Sequence, residues 1–359
     1  MKIAQVCHRY HPHRGGIEYH VREISERLAQ RHDVEVISAD LDSSLKADEW
    51  VNNVHIRRFS SFAPHGAYYF SPQIAHYLKN QDFEIVHAHN YHAFPAFFAA
   101  RGARGKFIFT PHYHGKGSTF IRNILNRPYK LIASGIFRRA EKIICVSDYE
   151  KTLIEHDFPF ITPEELTIIP NGIDLVQIQN AEAFDTDEKI ILYIGRLEEY
   201  KNIDIGIKAL QYLPVYHFYI IGSSGSYKSE LVSLVRQLNL EDRVRILENV
   251  SDTEKYRWLK SCTVFINLSG VEAFGITVLE ALAAGRPVII NEQGGLSEFG
   301  QRFSGVYPIA IDRNQSNMDE VLSRTINGIK DISPKVDLEE YNWDRIVERI
   351  ETIYYKGFL

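Results

Sequence analysis

The stretch Glu272-Ala-Phe-Gly-Ile-Thr-Val-Leu-Glu280, running on through Ala-Leu-Ala-Ala-Gly285-Arg-Pro-Val288, decides how the chain is read. Ahead of it, Val264-Phe-Ile-Asn267 is a short β-branched and aromatic run that predicts a strand. Residues 276–284 are rich in Leu and Ala and are closed by Gly285, with Pro287 just beyond, which predicts a helix. Glu272, Phe274 and Gly275 therefore fall on a strand-to-helix turn. The first N–H groups of a helix lack intrahelical partners, and the helix dipole favours an anion there. Gly275 lets a ligand come close to the backbone. Glu280, eight positions after Glu272, can reach back towards the turn. Two carboxylates flanking an anion-binding helix start suit a ligand with both hydroxyls and phosphates. A buried helix with a capping glutamate has the same spacing, so the pair alone does not decide.

Working outward, the same alternation recurs on both sides. In the second half, strands are expected over 189–195, 217–222, 243–248, 264–266 and 288–291, with helices around 204–212, 229–238 and 253–260. In the first half, a strand over 2–8 leads into a loop with Pro12, Gly15 and Gly16, then a helix over 17–31 and a strand over 34–39. Ile17, Val21, Ile24 and Leu28 give that helix one buried face. Further strands are expected over 84–87, 106–110, 142–147 and 167–169, with helices over 71–79 and 120–139. Strand–helix–strand repetition on this scale predicts an α/β protein of two doubly wound, Rossmann-like domains facing a cleft, and 359 residues is long for a single core. The expected boundaries are a first domain at 1–175, a linker at 176–188 (acidic over 181–188), a second domain at 189–340, and an amphipathic helix at 341–359.

Composition narrows the function. A hydrophobic fraction of 45% describes a globular protein, and a net charge of −5 argues against a nucleic-acid partner. Cys7, Cys145 and Cys262 are scattered, without metal spacing, as free thiols in a reducing compartment would be. The N-terminus begins at once as a strand and shows no signal pattern, and no apolar run approaches a membrane span. The expectation is a cytoplasmic protein. Charge is uneven: residues 101–142 carry Arg101, Arg104, Lys106, Lys116, Arg122, Arg127, Lys130, Arg138, Arg139 and Lys142 against a single acid, Glu141. Such a region suits an anionic membrane surface or a phosphorylated acceptor, although a solvated helix face has the same composition.

Five motifs occur in order: Pro12-His-Arg-Gly15-Gly16-Ile-Glu18; Asn171-Gly172-Ile173-Asp174; Gly195-Arg196-Leu197 with Lys201 following; the Glu272–Glu280 stretch; and Gly294-Gly295. Together they resemble the retaining glycosyltransferases of family 4, which have the GT-B fold, and the resemblance runs from about Lys2 to the C-terminus. It implies that Arg196 and Lys201 bind the diphosphate of a sugar nucleotide. It implies that Glu272 contacts sugar hydroxyls and that Glu280 holds the ribose. The Phe274-Gly275 backbone then lies along sugar and phosphates. His112, in Thr110-Pro-His-Tyr-His114, matches the family's donor-sugar histidine, and Gly15 and Gly16 let the first domain's backbone approach the phosphates or the acceptor. Asn171 and Gly195 join the binding set on the same ground. The terminal helix is expected to cross back to the first domain.

Cations and helix N-termini aimed at a departing diphosphate stabilise it without a metal, and no Asp-x-Asp follows a strand of the second half, so neither metal nor cofactor is expected. The expected substrates are a UDP- or GDP-sugar and a lipid-linked, polysaccharide or phosphorylated acceptor. The family's usual front-face attack is the expected route. Retention through a covalent intermediate would make Glu272 the nucleophile. Three departures bear on the nucleotide: Leu268 where proline is frequent, Ala273 where glycine is common, and a Gly222-Ser-Ser-Gly225 loop one residue longer than usual. The alternatives are a sugar-nucleotide epimerase, a phosphorylase or other enzyme of this fold, or a non-catalytic nucleotide-sugar-binding protein. A dinucleotide-dependent dehydrogenase is disfavoured because no G-x-G-x-x-G follows the first strand.

Overall fold

The computed structural model describes residues 1–64, 68–115, 120–222, 225–330 and 333–356, the side chains of 120–128 excepted. The chain divides into two compact units, Met1–Gly172 with Trp343–Leu359, and Ile173–Asn342.

In the first unit the strands are β1 (Lys2–Cys7), β2 (Asp33–Asp40), β3 (Asp48–Val51), β4 (Val54–Ser60), β5 (Ile85–His89), β6 (Lys106–Thr110), β7 (Lys142–Cys145) and β8 (Leu166–Ile168). They form one sheet in the order β3-β4-β2-β1-β5-β6-β7-β8. Pairing is parallel throughout except at the β3–β4 hairpin. Helices α1 (Gly16–Leu28), α2 (Gln73–Lys79), α3 (Phe94–Gly102), α4 (Phe120–Arg139) and α5 (Asp148–Asp157) connect the strands. The central strands are buried on both faces; β6 reads as an apolar run, while β1 and β5 bury the polar Gln5, His87 and His89 among apolar residues.

The second unit carries β9 (Lys189–Ile194), β10 (Tyr216–Ile221), β11 (Val244–Leu247), β12 (Val264–Asn267), β13 (Val288–Asn291) and β14 (Val306–Ile309). Their order is β11-β10-β9-β12-β13-β14, all parallel. Its helices are α6 (Leu175–Asn180), α7 (Ile203–Ala209), α8 (Lys228–Gln237), α9 (Asp252–Ser261), α10 (Ile276–Ala283), α11 (Ser297–Arg302) and α12 (Met318–Gly328). The terminal helix α13 (Trp343–Tyr355) returns to the first unit, where Trp343, Ile346, Val347 and Ile350 join the core of Val21, Ile24 and Leu28 from α1.

The α/β reading with two parallel sheets holds. Two details differ. Residues 176–188, expected as a linker, belong to the second unit: α6 lies there, and Phe184 stacks on Trp258 with centroids 4.2 Å apart. The β3–β4 hairpin was not anticipated. Its strands alternate and carry Asp48, Glu49, Arg57 and Arg58, the charged pattern of a sheet edge. Its turn residues Asn52 and Asn53 both take positive φ, 50° and 64°, as a two-residue hairpin demands.

In each sheet the order reverses at one place, beside β1 and β5 in the first and beside β9 and β12 in the second. Ligands of open α/β sheets bind outside the carboxyl ends of strands at such a switch point. Among the described residues no helix is long and apolar enough to cross a membrane.

Candidate functional site

In the second unit, the loops leaving β9 and β12 meet at the switch point. Loop 268–275, leaving β12, is fixed from several directions. The Asn202 side chain donates to the Leu268 carbonyl at 2.6 Å, and Asn291 donates to the Ser269 carbonyl at 3.1 Å. Gly270 N–H donates to the Tyr200 carbonyl at 2.8 Å, and Gly295 N–H to the Glu272 carbonyl at 2.9 Å. Gly295 has to be glycine, because a Cβ there would lie 2.2 Å from the Ala273 carbonyl. Gly275, the N-cap of α10, has φ 106°, and a Cβ would meet Leu296 at 2.6 Å; no side chain caps this helix start. Phe274 turns its ring inward onto Phe299, so only its backbone can serve a ligand.

The loop leaving β9 brings in the cations. Lys201 Nζ sits 2.5 Å from Glu272 Oε2, a largely buried ion pair. Arg196 donates to the Tyr200 hydroxyl at 2.6 Å. Gly195 leaves room for the Tyr193 hydroxyl, which a Cβ would approach at 2.6 Å. Asn202, next to Lys201, is left-handed, and Arg313 holds it by donating to its side-chain oxygen at 2.7 Å and to Asp204 at 2.9 Å. Further along α10, Glu280 is buried. Lys255 donates to its Oε1 at 2.7 Å, while Oε2 is buried without a hydrogen-bond partner. Burial raises the Glu280 carboxyl, and Lys255 opposes that shift.

Gly15, Gly16, His112 and Asn171 lie in the first unit. Gly16 begins α1 with open space where a Cβ would go, so its freedom is not needed there. Gly15 does need to be small, since a Cβ would lie 2.4 Å from a Glu18 carboxylate oxygen. Burial alone would raise the Glu18 carboxyl, but His8 at 3.3 Å and Arg9 at 2.9 Å hold it well below the usual carboxylate range. His112 follows β6 in a left-handed conformation, φ 51°, with Nε2 buried and unpartnered. Its neighbour is anchored by Glu150, whose two carboxylate oxygens accept from the backbone N–H of Tyr113 and, at 2.6 Å, of Val146. Burial pushes the Glu150 carboxyl up to about 8, against those two donors. Asn171 is buried, and Gly172 beside it lies against the Trp343 ring.

The expected basic surface at 101–142 is smaller than its composition suggests. Lys106 donates to the Ile353 carbonyl near the end of α13, and Lys130 pairs with Asp157 at 2.8 Å. Lys142 donates to the Glu164 carbonyl, and Arg139 to the carbonyls of Ala103 and Gly105. Arg101, Arg104 and Arg138 are exposed. Lys116 and the side chains of Arg122 and Arg127 lie outside the described residues, as do Ser223 and Ser224 of the long glycine loop.

Sequence reading missed Lys255, Arg313 and Asn202, none of which sits in a local pattern. It also missed Glu150, whose Ser147-x-x-Glu150 spacing is a helix-start signature. Ser147 does accept the Glu150 N–H at 3.0 Å. It missed His20 and His89, which pack around His112 with ring centroids 4.9 and 6.2 Å from it.

Comparison with known proteins gives the family and the fold. Residues 14–177 match the family model of Glycosyltransferase Family 4, and residues 176–306 that of Glycosyl transferases group 1. The chain is 28% identical to an uncharacterised glycosyltransferase of Methanocaldococcus jannaschii, covering 99% of this chain and 98% of that one. It is 25% identical to the N-acetyl-α-D-glucosaminyl L-malate synthase of Bacillus anthracis, over 99% and 97% of the two chains. Its fold superposes on the sucrose-phosphate synthase of Thermosynechococcus elongatus with a TM-score of 0.83 at 19% identity, over 99% of both chains.

Proposed function

The chain belongs to the family 4 and group 1 glycosyltransferases, enzymes of the GT-B fold, and on that premise we propose that it moves a hexosyl group from a UDP- or GDP-sugar to a lipid-linked, polysaccharide or phosphorylated acceptor, with retention of configuration and without a catalytic metal. The observation that carries this reading is the Lys201–Glu272 pair on the turn before α10. A cation and a helix N-terminus stand together where a diphosphate would leave, and a carboxylate stands beside them for sugar hydroxyls. Glu272 neutralises Lys201. A diphosphate would take over Lys201 and Arg196 and release Glu272 to the sugar. Glu280 suits the ribose, since its unpartnered Oε2 can accept from a hydroxyl.

In this mechanism the bond from the anomeric carbon to the diphosphate oxygen breaks as the acceptor oxygen attacks the same face. The acceptor proton passes to the departing phosphate. Lys201, Arg196 and the α10 N-terminus stabilise the charge that grows on that phosphate. His112 is assigned to the donor sugar by the resemblance, with Glu150 fixing its loop.

Arg101, Arg104 and Arg138 favour an anionic acceptor, and cytoplasmic action at an anionic membrane face fits it. The name of the malate synthase relative brings in a small carboxylate acceptor as the second reading. The test is a screen of UDP- and GDP-sugars by thermal shift and by hydrolysis. Transfer then follows onto anionic lipid vesicles, phosphorylated polyols and malate, with anomeric configuration read by NMR. A donor that stabilises the protein and a product of unchanged configuration are expected. An inverted product would end the retaining reading.

A further inference from the structure

The first unit holds a cluster of three histidines, of which the proposed transfer uses only His112. Ring nitrogens of His20, His89 and His112, one from each, lie within 4.8 Å of one another. The three residues come from separate elements: His20 from α1, His89 from the end of β5 and His112 from the loop after β6. The His20 and His89 ring centroids are 5.3 Å apart. Both nitrogens of His20, Nδ1 of His89 and Nε2 of His112 are buried without a hydrogen-bond partner. Three unsatisfied imidazoles facing one another in a buried site is not how cores are usually built, because buried polar atoms are normally paired.

The surroundings prepare one of these rings for a ligand. His89 Nε2 lies 2.8 Å from Gln5 Oε1, and Gln5 Nε2 donates to the Tyr354 hydroxyl at 2.9 Å. The Tyr354 hydroxyl lies 2.7 Å from His87 Nδ1, and His87 Nε2 lies 2.7 Å from Thr110 Oγ1. With the Gln5 amide assigned this way round, His89 Nε2 carries the proton and its buried Nδ1 is left as a bare lone pair. A ring that donates its far N–H to an amide oxygen while its near nitrogen is bare is the usual arrangement of a metal-ligating histidine. The Asn171 side chain stands beside His20, within reach of a hydrogen bond to its ring.

We propose that His20, His89 and His112 form a binding site for one divalent transition-metal ion of the zinc class. Three imidazoles with a fourth position left to water match that ion's ligand preference, and ring rotation would bring nitrogens now within 4.8 Å of one another to the spacing that bonds of about 2.0–2.1 Å require. The ion would take the Nε2 of His112 and hold the ring away from a sugar. It therefore acts as an inhibitor of transfer, a consequence that rests on the donor-sugar role assigned to His112 above. Transfer itself needs no metal, so a chelator leaves it running and zinc stops it.

The experiment begins with full-length protein stripped by EDTA and dialysed. Titration with Zn²⁺, followed by calorimetry and elemental analysis, should give one ion per chain. Zinc X-ray absorption on the wild-type protein should show imidazole ligands, a readout that needs no variant to fold. Co²⁺ in place of Zn²⁺ should give the intense visible bands of a four-coordinate site. His20→Ala and His89→Ala, each checked for folding by its melt, should lose the stoichiometric ion. Failure of the wild type to bind Zn²⁺ overturns the proposal. So does binding that survives both substitutions, or a first shell without imidazole. Binding through these histidines with transfer unaffected keeps the metal site and removes the donor-sugar role of His112. In that way a failure of the site and a failure of the functional reading come apart.

Discussion

Around the switch point of the second sheet two carboxylates are paired with lysines, Glu272 with Lys201 and Glu280 with Lys255. Around that of the first stand three imidazoles, His20, His89 and His112, with buried ring nitrogens that carry no hydrogen bond. The same architecture thus supports two kinds of readiness. A paired charge waits with its compensation already present, and a ligand of like charge can replace one member of the pair. A bare lone pair waits for an electron-pair acceptor or a donor hydrogen, and nothing stands in for it meanwhile. The second unit should therefore be sensitive to loss of either partner, the first to what is added.

The sharpest break is at the charged end. Lys201→Ala leaves Glu272 uncompensated and removes a cation from the diphosphate. We expect it to cost about 2–5 kcal/mol of transition-state stabilisation, roughly thirtyfold to several thousandfold in kcat/KM. Arg196→Ala should act in the same direction. Near-wild-type turnover of either variant would remove the diphosphate assignment.

Glu272→Gln tests the anionic partner more gently, because an amide keeps one acceptor oxygen. Hydrogen bonds to charged groups contribute about 1.5–3 kcal/mol against roughly 1 for neutral ones. Transfer should slow by about tenfold to a few hundredfold with configuration still retained. Intact mass after incubation with donor alone gives the decisive control. A glycosyl adduct on the wild type that vanishes in the variant would make Glu272 a nucleophile.

In the first unit, Glu150 gives a smaller and pH-dependent effect. Its folded-state pKa is raised by burial from 4.5 to about 8, so the native state binds that proton more tightly than the unfolded chain does. The stability it contributes is complete below the unfolded value and is lost as pH rises through the folded one. The wild-type melting temperature should fall more steeply between pH 5 and 8 than that of Glu150→Gln, by roughly 2–4 °C per kcal/mol involved. Parallel profiles would mean that the two backbone donors keep the carboxylate ionised. The smallest expected effect is none: EDTA should leave transfer unchanged. Loss of activity restored by Mg²⁺ or Mn²⁺ would overturn the metal-independent reading.

Much of the fold was legible because a parallel sheet buried on both faces writes itself as apolar runs, as in Lys189–Ile194 and Lys106–Thr110. The β3–β4 hairpin escaped because its charged edge breaks that pattern, although Asn52-Asn53 marks the turn. On the site, Gly195, Gly275 and Gly295 were readable because backbone there tolerates no Cβ, and a glycine shows in sequence. Lys201 and Glu272 meet across 71 positions, which only the motif order could suggest. The partners Lys255 of Glu280 and Arg313 of Asn202 are chosen by tertiary packing and leave no local trace. The histidine cluster was invisible for the same reason. Each ring sits in an unremarkable segment, and only the order of β1, β5 and β6 in the sheet brings them together.

The return of α13 to the first unit bears on how the protein is made. Gln5 on the first strand and Tyr354 on the last helix are hydrogen-bonded across 349 positions, and Trp343 fills the core beneath α1. On the ribosome the first 172 residues therefore emerge well before α13, and their core lacks one wall until residues 343–355 have followed. The second unit is contiguous, with Ile173 N–H donating to the Tyr341 carbonyl where its two ends meet. It holds everything it needs before then. Domains usually complete in the order of synthesis; here the order is reversed, and a chain stalled before residue 343 should carry a folded second unit joined to an unfinished first one.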